Sequence, residues 1–171
     1  MKEYILPCEI ADINIISQLH NEAIQFQNLN SIQSWLPIEA DQLASDLNKN
    51  YYWKILTNDK ISGIFKLLEE DYVIWGERED QLAIYLHGII STERGGKKLF
   101  PFIFDWSKEF VKNKNKKYIR MDTWTNNPKL ISYYLSFGFI IVDQTQAAHP
   151  DKLQACYSST SLTLLQYHVD E

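Results

Sequence analysis

The sequence holds only two cysteines, Cys8 and Cys156. They make no disulfide framework, and their spacing matches no metal-ligand pattern. No apolar run approaches the length of a membrane span, so no membrane association is expected. Internal repeats and low-complexity linkers are lacking as well. Positive charge is not in excess: the net charge is -5, which argues against a general nucleic-acid binder, whose affinity comes mainly from neutralising backbone phosphates. The polar start MKEYILPCE does not read as a secretory signal, and a reducing cytoplasm is the expected setting.

What is present suits one ordinary domain over residues 1–171. A chain of this length can bury a substantial core. Apolar residues make up 45% and charged residues 23%, both usual for a globular protein. Aromatics reach 13%, so the core or a ligand cleft is expected to be rich in them.

Hydrophobic periodicity orders the elements. Residues 4–7 read as an edge strand. Residues 11–26 carry Ile13, Ile16, Leu19, Ala23 and Phe26 at helical spacing, and residues 38–47 form a second helix with Ala40, Leu43, Ala44 and Leu47 on one side. Residues 51–56 and 61–68 are strands joined by a tight TNDK turn, because Asn and Asp tolerate left-handed backbone. The acidic stretch 69–80 is an excursion or an extra hairpin around an apolar island at residues 72–75. The run QLAIYLHGII at residues 81–90 reads as a central strand covered on both faces. Alternation along it puts Tyr85, His87 and Ile89 on one side. A long amphipathic helix follows, marked by Phe102, Ile103, Trp106, Phe110 and Val111. KNKNKK, residues 112–117, reads as a solvated connection to a strand at 118–123. Pro128 opens a further helix, capped by Asn126 or Asn127 and ended by Gly138. Strands at 139–143 and 161–167 close the chain, with a long return loop over residues 144–159. The expected fold is α/β: a mixed, mostly antiparallel central sheet with flanking helices, and a parallel crossover between the strands after residue 82.

The stretch ISTERGGKKLFPF, residues 90–102, joins a strand to a helix through adjacent glycines and three cations. Free N–H groups of such a loop and of the helix start carry partial positive charge, and glycine lets an anion come close to the backbone. Arg94, Lys97 and Lys98 add full charges around Gly95 and Gly96. The loop is neither a Walker A motif nor GxGxxG. Pro101 is tolerated only in a first turn, so the helix is expected to begin near Leu99 or Phe100, leaving residues 94–98 as the anion cradle. An ordinary basic turn is the alternative.

The second informative stretch is MDTWTNNPKLISYYLSFGF, residues 121–139. An apolar strand, a basic glycine loop, a long helix, a strand ending DTW, and then Asn127, Tyr134, Gly138 and Phe139 at their spacing resemble the Gcn5-related N-acetyltransferase (GNAT) family. The likeness is good over residues 85–143, and the element order extends it to nearly the whole chain. The loop departs from the family, which spaces its glycines.

The resemblance implies a GNAT-like acyl-CoA transferase fold, with acetyl-CoA as co-substrate, no metal, and a small-molecule or peptide amine as acceptor. It implies that the strand before the loop splays from its parallel neighbour and offers the backbone of Ile89, Ile90 and Ser91 to the pantetheine arm. Arg94, Gly95, Gly96, Lys97 and Lys98 would hold the diphosphate, and Asn127 would contact the arm. Tyr134 would protonate the departing thiolate, since a phenol is a fitting general acid there. His87 has a suitable pKa for the general base. A backbone N–H near Ile90 would polarise the carbonyl. Each residue also has a plainer reading: Tyr134 as core, Asn127 as a helix cap, His87 as structural, Trp124 as packing. The acidic residues Glu69, Glu70, Asp71, Glu77, Glu79 and Asp80 either steer a cationic amine or are merely solvated. The rival function is a non-catalytic acyl-CoA-binding or regulatory domain of the same fold. Neither nucleic acid nor membrane is an expected partner, and a homodimer is left open.

Overall fold

The structure, a computed structural model, describes residues 2–30, 32–93 and 99–170. The chain runs β1 (Glu3–Pro7), α1 (Ile13–Leu29), α2 (Ala40–Asn48), β2 (Tyr52–Thr57), β3 (Lys60–Leu68), α3 (Tyr72–Trp75), β4 (Ala83–Ser91), α4 (Leu99–Asn113), β5 (Tyr118–Trp124), α5 (Pro128–Leu135), β6 (Ile140–Thr145) and β7 (Leu162–His168). The strands form one sheet in the order β1-β2-β3-β4-β5-β7-β6. All neighbours are antiparallel except β4 and β5, which α4 joins as a crossover. Among the described residues no helix is long and apolar enough to cross a membrane.

Local chemistry explains most boundaries. Asn58 and Asp59 both take positive φ, 50° and 63°, which gives the β2–β3 hairpin the twist of its strands. Asn127 caps α5 through its side-chain oxygen, which accepts from the Leu130 N–H at 3.3 Å. Gly138 follows α5 with φ 93°. Pro101 sits in the first described turn of α4. The acidic excursion is one helical turn rather than a hairpin: Asp71 caps α3 by accepting from the Ile74 N–H at 3.1 Å, and Ile74 and Trp75 anchor it. The KNKNKK connection is held by Lys114 on the Glu69 carboxylate and Lys116 on the Glu69 carbonyl, at 2.7 and 2.8 Å.

Each face of the sheet buries its own core. Helices α4 and α5 cover one face, where Phe100, Ile103, Phe104 and Tyr134 pack on Ile84, Leu86, Ile119 and Met121. Helices α1 and α2 cover part of the other through Ile16, Leu19, Leu43 and Leu47, packed on Ile64 and Ile90. Helix α3 and the 146–157 segment cover the rest, over Tyr85, Trp124 and Leu164. Arg120 is buried against Trp75 of α3; it donates to Gln166, Tyr85 and Asp80 at 2.8 to 3.0 Å.

One expectation about β4 fails. Lys66 faces His87, yet Ile64 faces Ile90, so β4 holds an extra residue opposite β3. Gly88 takes φ 54° at this point, the backbone state a bulge needs and glycine supplies at no steric cost. The bulge reverses the alternation. Ile89 therefore packs on the α4 side and Ile90 on the α1 side, so Ile89 does not share a face with His87.

Candidate functional site

Strands β4 and β5 pair only over Ala83–Leu86 and Tyr118–Met121. Both run on, to Ser91 and Trp124, with no pairing between them among the described residues. Beyond Leu86 the sheet is split, and the β5-facing edge of β4 has no strand partner. The Thr92 N–H donates to the Ser62 carbonyl at 2.9 Å. Since N–H direction alternates along a regular strand, Ile90 turns its amide toward β3 and Ser91 turns its amide into the split. At Gly88 and Ile89 the bulge breaks this rule.

Tyr134 lies on the α5 side of the split, 8% exposed, with its ring 4.9 Å from that of Phe100. Its phenol is held well above the usual range, first by burial and then by the fields of Tyr133 and Asp122, so it keeps its proton. Asn127 stands at the start of the same helix, its oxygen already used in the cap. Arg94, Gly95, Gly96, Lys97 and Lys98 lie outside the described residues.

On the α1 side of the split His87 lies between two aspartates. Nε2 is 3.1 Å from Asp71 Oδ2, and Nδ1 is 3.1 Å from Asp122 Oδ1. Burial opposes the imidazolium, but the Asp122 and Asp71 carboxylates outweigh it and lift the pKa to about 9. A histidine charged at neutral pH has no lone pair with which to take a proton, so the geometry speaks against His87 as the base. The three side chains are 18%, 4% and 7% exposed for His87, Asp71 and Asp122. In the sequence Asp71 was one acid of a stretch that either steers a cationic amine or is merely solvated, and Asp122 was only part of a strand. Their neighbours in sequence have other duties: Glu79 accepts from the Asp71 and Gln81 N–H groups at 2.7 Å, and Asp80 binds Arg120. The available signal for Asp122 was its place on the same sheet face as His87.

His20 of α1 also borders β4, its Nε2 3.9 Å from where a side chain on Gly88 would begin. Burial, then the field of Lys66, lowers its pKa to about 4, so this imidazole is neutral. Trp124 packs on Tyr157 with ring centres 4.7 Å apart. A polar cleft of about 360 Å³, lined by Gln33, Thr125, Asn126, Ser159, Thr160 and Ser161, opens at that end of β5. A groove of about 430 Å³ between the ends of β3 and α4 contains none of the expected catalytic or cofactor-binding residues, only Glu69 and Glu70 of the acidic stretch.

No family model matches the chain, and no curated protein does. Solved structures do. An acetyltransferase of the GNAT family from Listeria monocytogenes superposes with a TM-score of 0.76 at 14% identity, over 97% of this chain and 94% of that one. This chain has the GNAT fold. YncA from Salmonella typhimurium, solved with its cofactor acetyl-CoA, gives a TM-score of 0.67 at 17% identity, over 100% of this chain and 96% of that one. Spermidine N-acetyltransferase from Vibrio cholerae, in complex with CoA and spermine, gives 0.68 at 18% identity, over 98% and 95%.

Proposed function

We propose that the chain is an acetyl-CoA-dependent N-acetyltransferase acting on a primary amine. The observation that supports this most is the parting of β4 and β5 beyond Leu86 and Met121, with Tyr134 buried beside the gap. An extended amide chain such as pantetheine can continue the sheet there, using the split-facing edge of β4 at Ile89 and Ser91, with Ile90, whose amide faces β3, between them. Asn127 has its amide nitrogen free of the cap to contact that arm. The cations and glycines of residues 94–98 take the diphosphate. The likeness in fold to structures that hold acetyl-CoA, or CoA with spermine, supports the same donor and an amine acceptor.

In this reading the neutral amine attacks the thioester carbonyl, forming a C–N bond and a tetrahedral oxyanion. A backbone N–H of the bulge at Gly88 and Ile89 stabilises that oxyanion. Collapse breaks the C–S bond, and Tyr134 passes its proton to the sulfur. The phenol's raised pKa keeps the proton in place until the thiolate forms in the same apolar surroundings. The amine's proton goes to water or to neutral His20, and His87 stays charged throughout. Calorimetric titration with acetyl-CoA, followed by thiol release over an amine panel, tests the proposal. Saturable binding with release on some amine is expected. Tight binding without release on any amine would favour the non-catalytic binder instead, and no binding would refute both.

A further inference from the structure

The end of the sheet away from the split carries a groove of about 430 Å³ that the reaction just described does not use. It lies where β4 and β5 are still paired, since Leu68 of β3 faces Tyr85. Its lining is largely aromatic: Tyr51 just before β2, Trp53 within it, and Phe110 of α4. A cavity of this size is in the range that holds small molecules. Trp53 is pinned by the rings of Trp106 and Phe110, whose centres lie 4.9 and 5.8 Å away. Its indole nitrogen is buried and has no hydrogen-bond partner. A buried N–H in that state is costly unless an acceptor reaches it, and the packed rings keep it from swinging out to water.

The rim carries charge of both signs. Lys114 is taken by Glu69 at 2.7 Å. Lys49 and Glu70 border the same groove, and neither makes an ion pair with the other or with any other described residue. Lys49 stands over the Tyr51 ring at 5.8 Å. A purely apolar molecule would leave the Trp53 N–H unpaired. A plain cation would meet Lys49, and a plain anion would meet Glu70. A molecule with an apolar body and both charges answers all three. We propose that this groove is a second binding site, for a small zwitterion with an aromatic or apolar body, such as a free α-amino acid. Its carboxylate takes Lys49 and the Trp53 N–H, its ammonium takes Glu70, and its side chain lies against Phe110 and Tyr51. The site stands apart from the acetyltransferase reading, since no lining residue comes from β4, β5 or α5.

The test is calorimetric titration of wild type, Lys49→Gln and Glu70→Gln with L-phenylalanine, 2-phenylethylamine and 3-phenylpropionate. Both substitutions fall at exposed positions, where a change of side chain costs the fold little. L-phenylalanine is expected to bind saturably and at least ~3-fold tighter than either singly charged analogue, the gain an exposed charge contact supplies. Lys49→Gln should weaken L-phenylalanine and 3-phenylpropionate and spare 2-phenylethylamine, and Glu70→Gln should weaken L-phenylalanine and 2-phenylethylamine and spare 3-phenylpropionate. No saturable binding of L-phenylalanine, equal affinity for the three compounds, or affinities unchanged in both variants would overturn the proposal. L-phenylalanine is itself a primary amine, so capture at the acceptor site is the rival outcome, and it would survive both variants. The indole N–H resonance of Trp53, assigned through Trp53→Phe, gives a second readout. It should move on addition of L-phenylalanine and stay in place on addition of acetyl-CoA; a resonance unmoved by saturating L-phenylalanine would put the ligand elsewhere and overturn the site.

Discussion

The clearest consequence of the buried histidine concerns stability rather than rate. The His87 imidazole has an ordinary pKa of 6.5, raised to about 9 by Asp122 and Asp71 against the effect of burial. Each tenfold gain in proton affinity is worth about 1.4 kcal/mol, so the protonated pair of contacts contributes about 3 kcal/mol to folding. The sign follows from which state holds the proton. Below pH 6.5 both folded and unfolded chains are protonated, and the contribution is complete. Between 6.5 and about 9 only the folded chain keeps the proton, so stability falls by about 1.4 kcal/mol for each pH step of one. Cys8, whose thiol burial pushes up to about 12 from 9.0, erodes stability in the same direction only above that window. Urea unfolding at about pH 6 and about pH 9, in wild type and His87→Gln, isolates the histidine. Wild type is expected to lose about 3 kcal/mol over that interval. The variant should start less stable, with two buried carboxylates and no cation between them, and lose almost nothing further. Equal pH slopes in the two proteins would show that His87 is not held charged, and would return it to consideration as a base.

Three further outcomes are expected. Tyr134→Phe keeps the packing on Phe100 and should lower kcat on the order of 100-fold or more, with acetyl-CoA affinity by calorimetry unchanged; unchanged turnover would remove Tyr134 as the acid. Gly88→Ala should cost about 1–2 kcal/mol in chemical denaturation, a purely backbone effect, because the added carbon would stand 3.9 Å from His20 and clash with nothing. Arg120→Ala should cost about 3 kcal/mol in urea unfolding, since it strands Gln166 and Tyr85 beside a void; a loss below about 1 kcal/mol would mean the network is replaceable.

How much was legible depended on how local the physics is. The TNDK hairpin, Pro101 in the first described turn of α4, the Asn127 cap and the Gly138 stop are each decided by a few neighbouring residues, and each was readable. The element order was readable for the same reason. The acidic excursion was not, because a single helical turn at residues 72–75 has too few residues to show a period, and its stability comes from Ile74 and Trp75 packing under the 146–157 segment. The Gly88 bulge was also hidden. A glycine in an apolar run looks like any other strand residue until its partner strand counts one residue fewer, and missing it assigned Ile89 to the wrong face.

Tyr134 and Asn127 could be selected from the sequence because they share one motif, so their separation along the helix nearly fixes their separation in space. His87 and the two aspartates around it come from three separate places: β4, the N-cap of α3 and β5. By itself the sequence determined the α/β order, the crossover between the parallel strands and the tyrosine-bearing helix, because periodicity and capping act over short range. Only the tertiary structure set His87 between Asp71 and Asp122, whose carboxylates raise its pKa. Its protonation depends on burial and on charges 16 and 35 residues away in sequence, which meet only when the sheet closes.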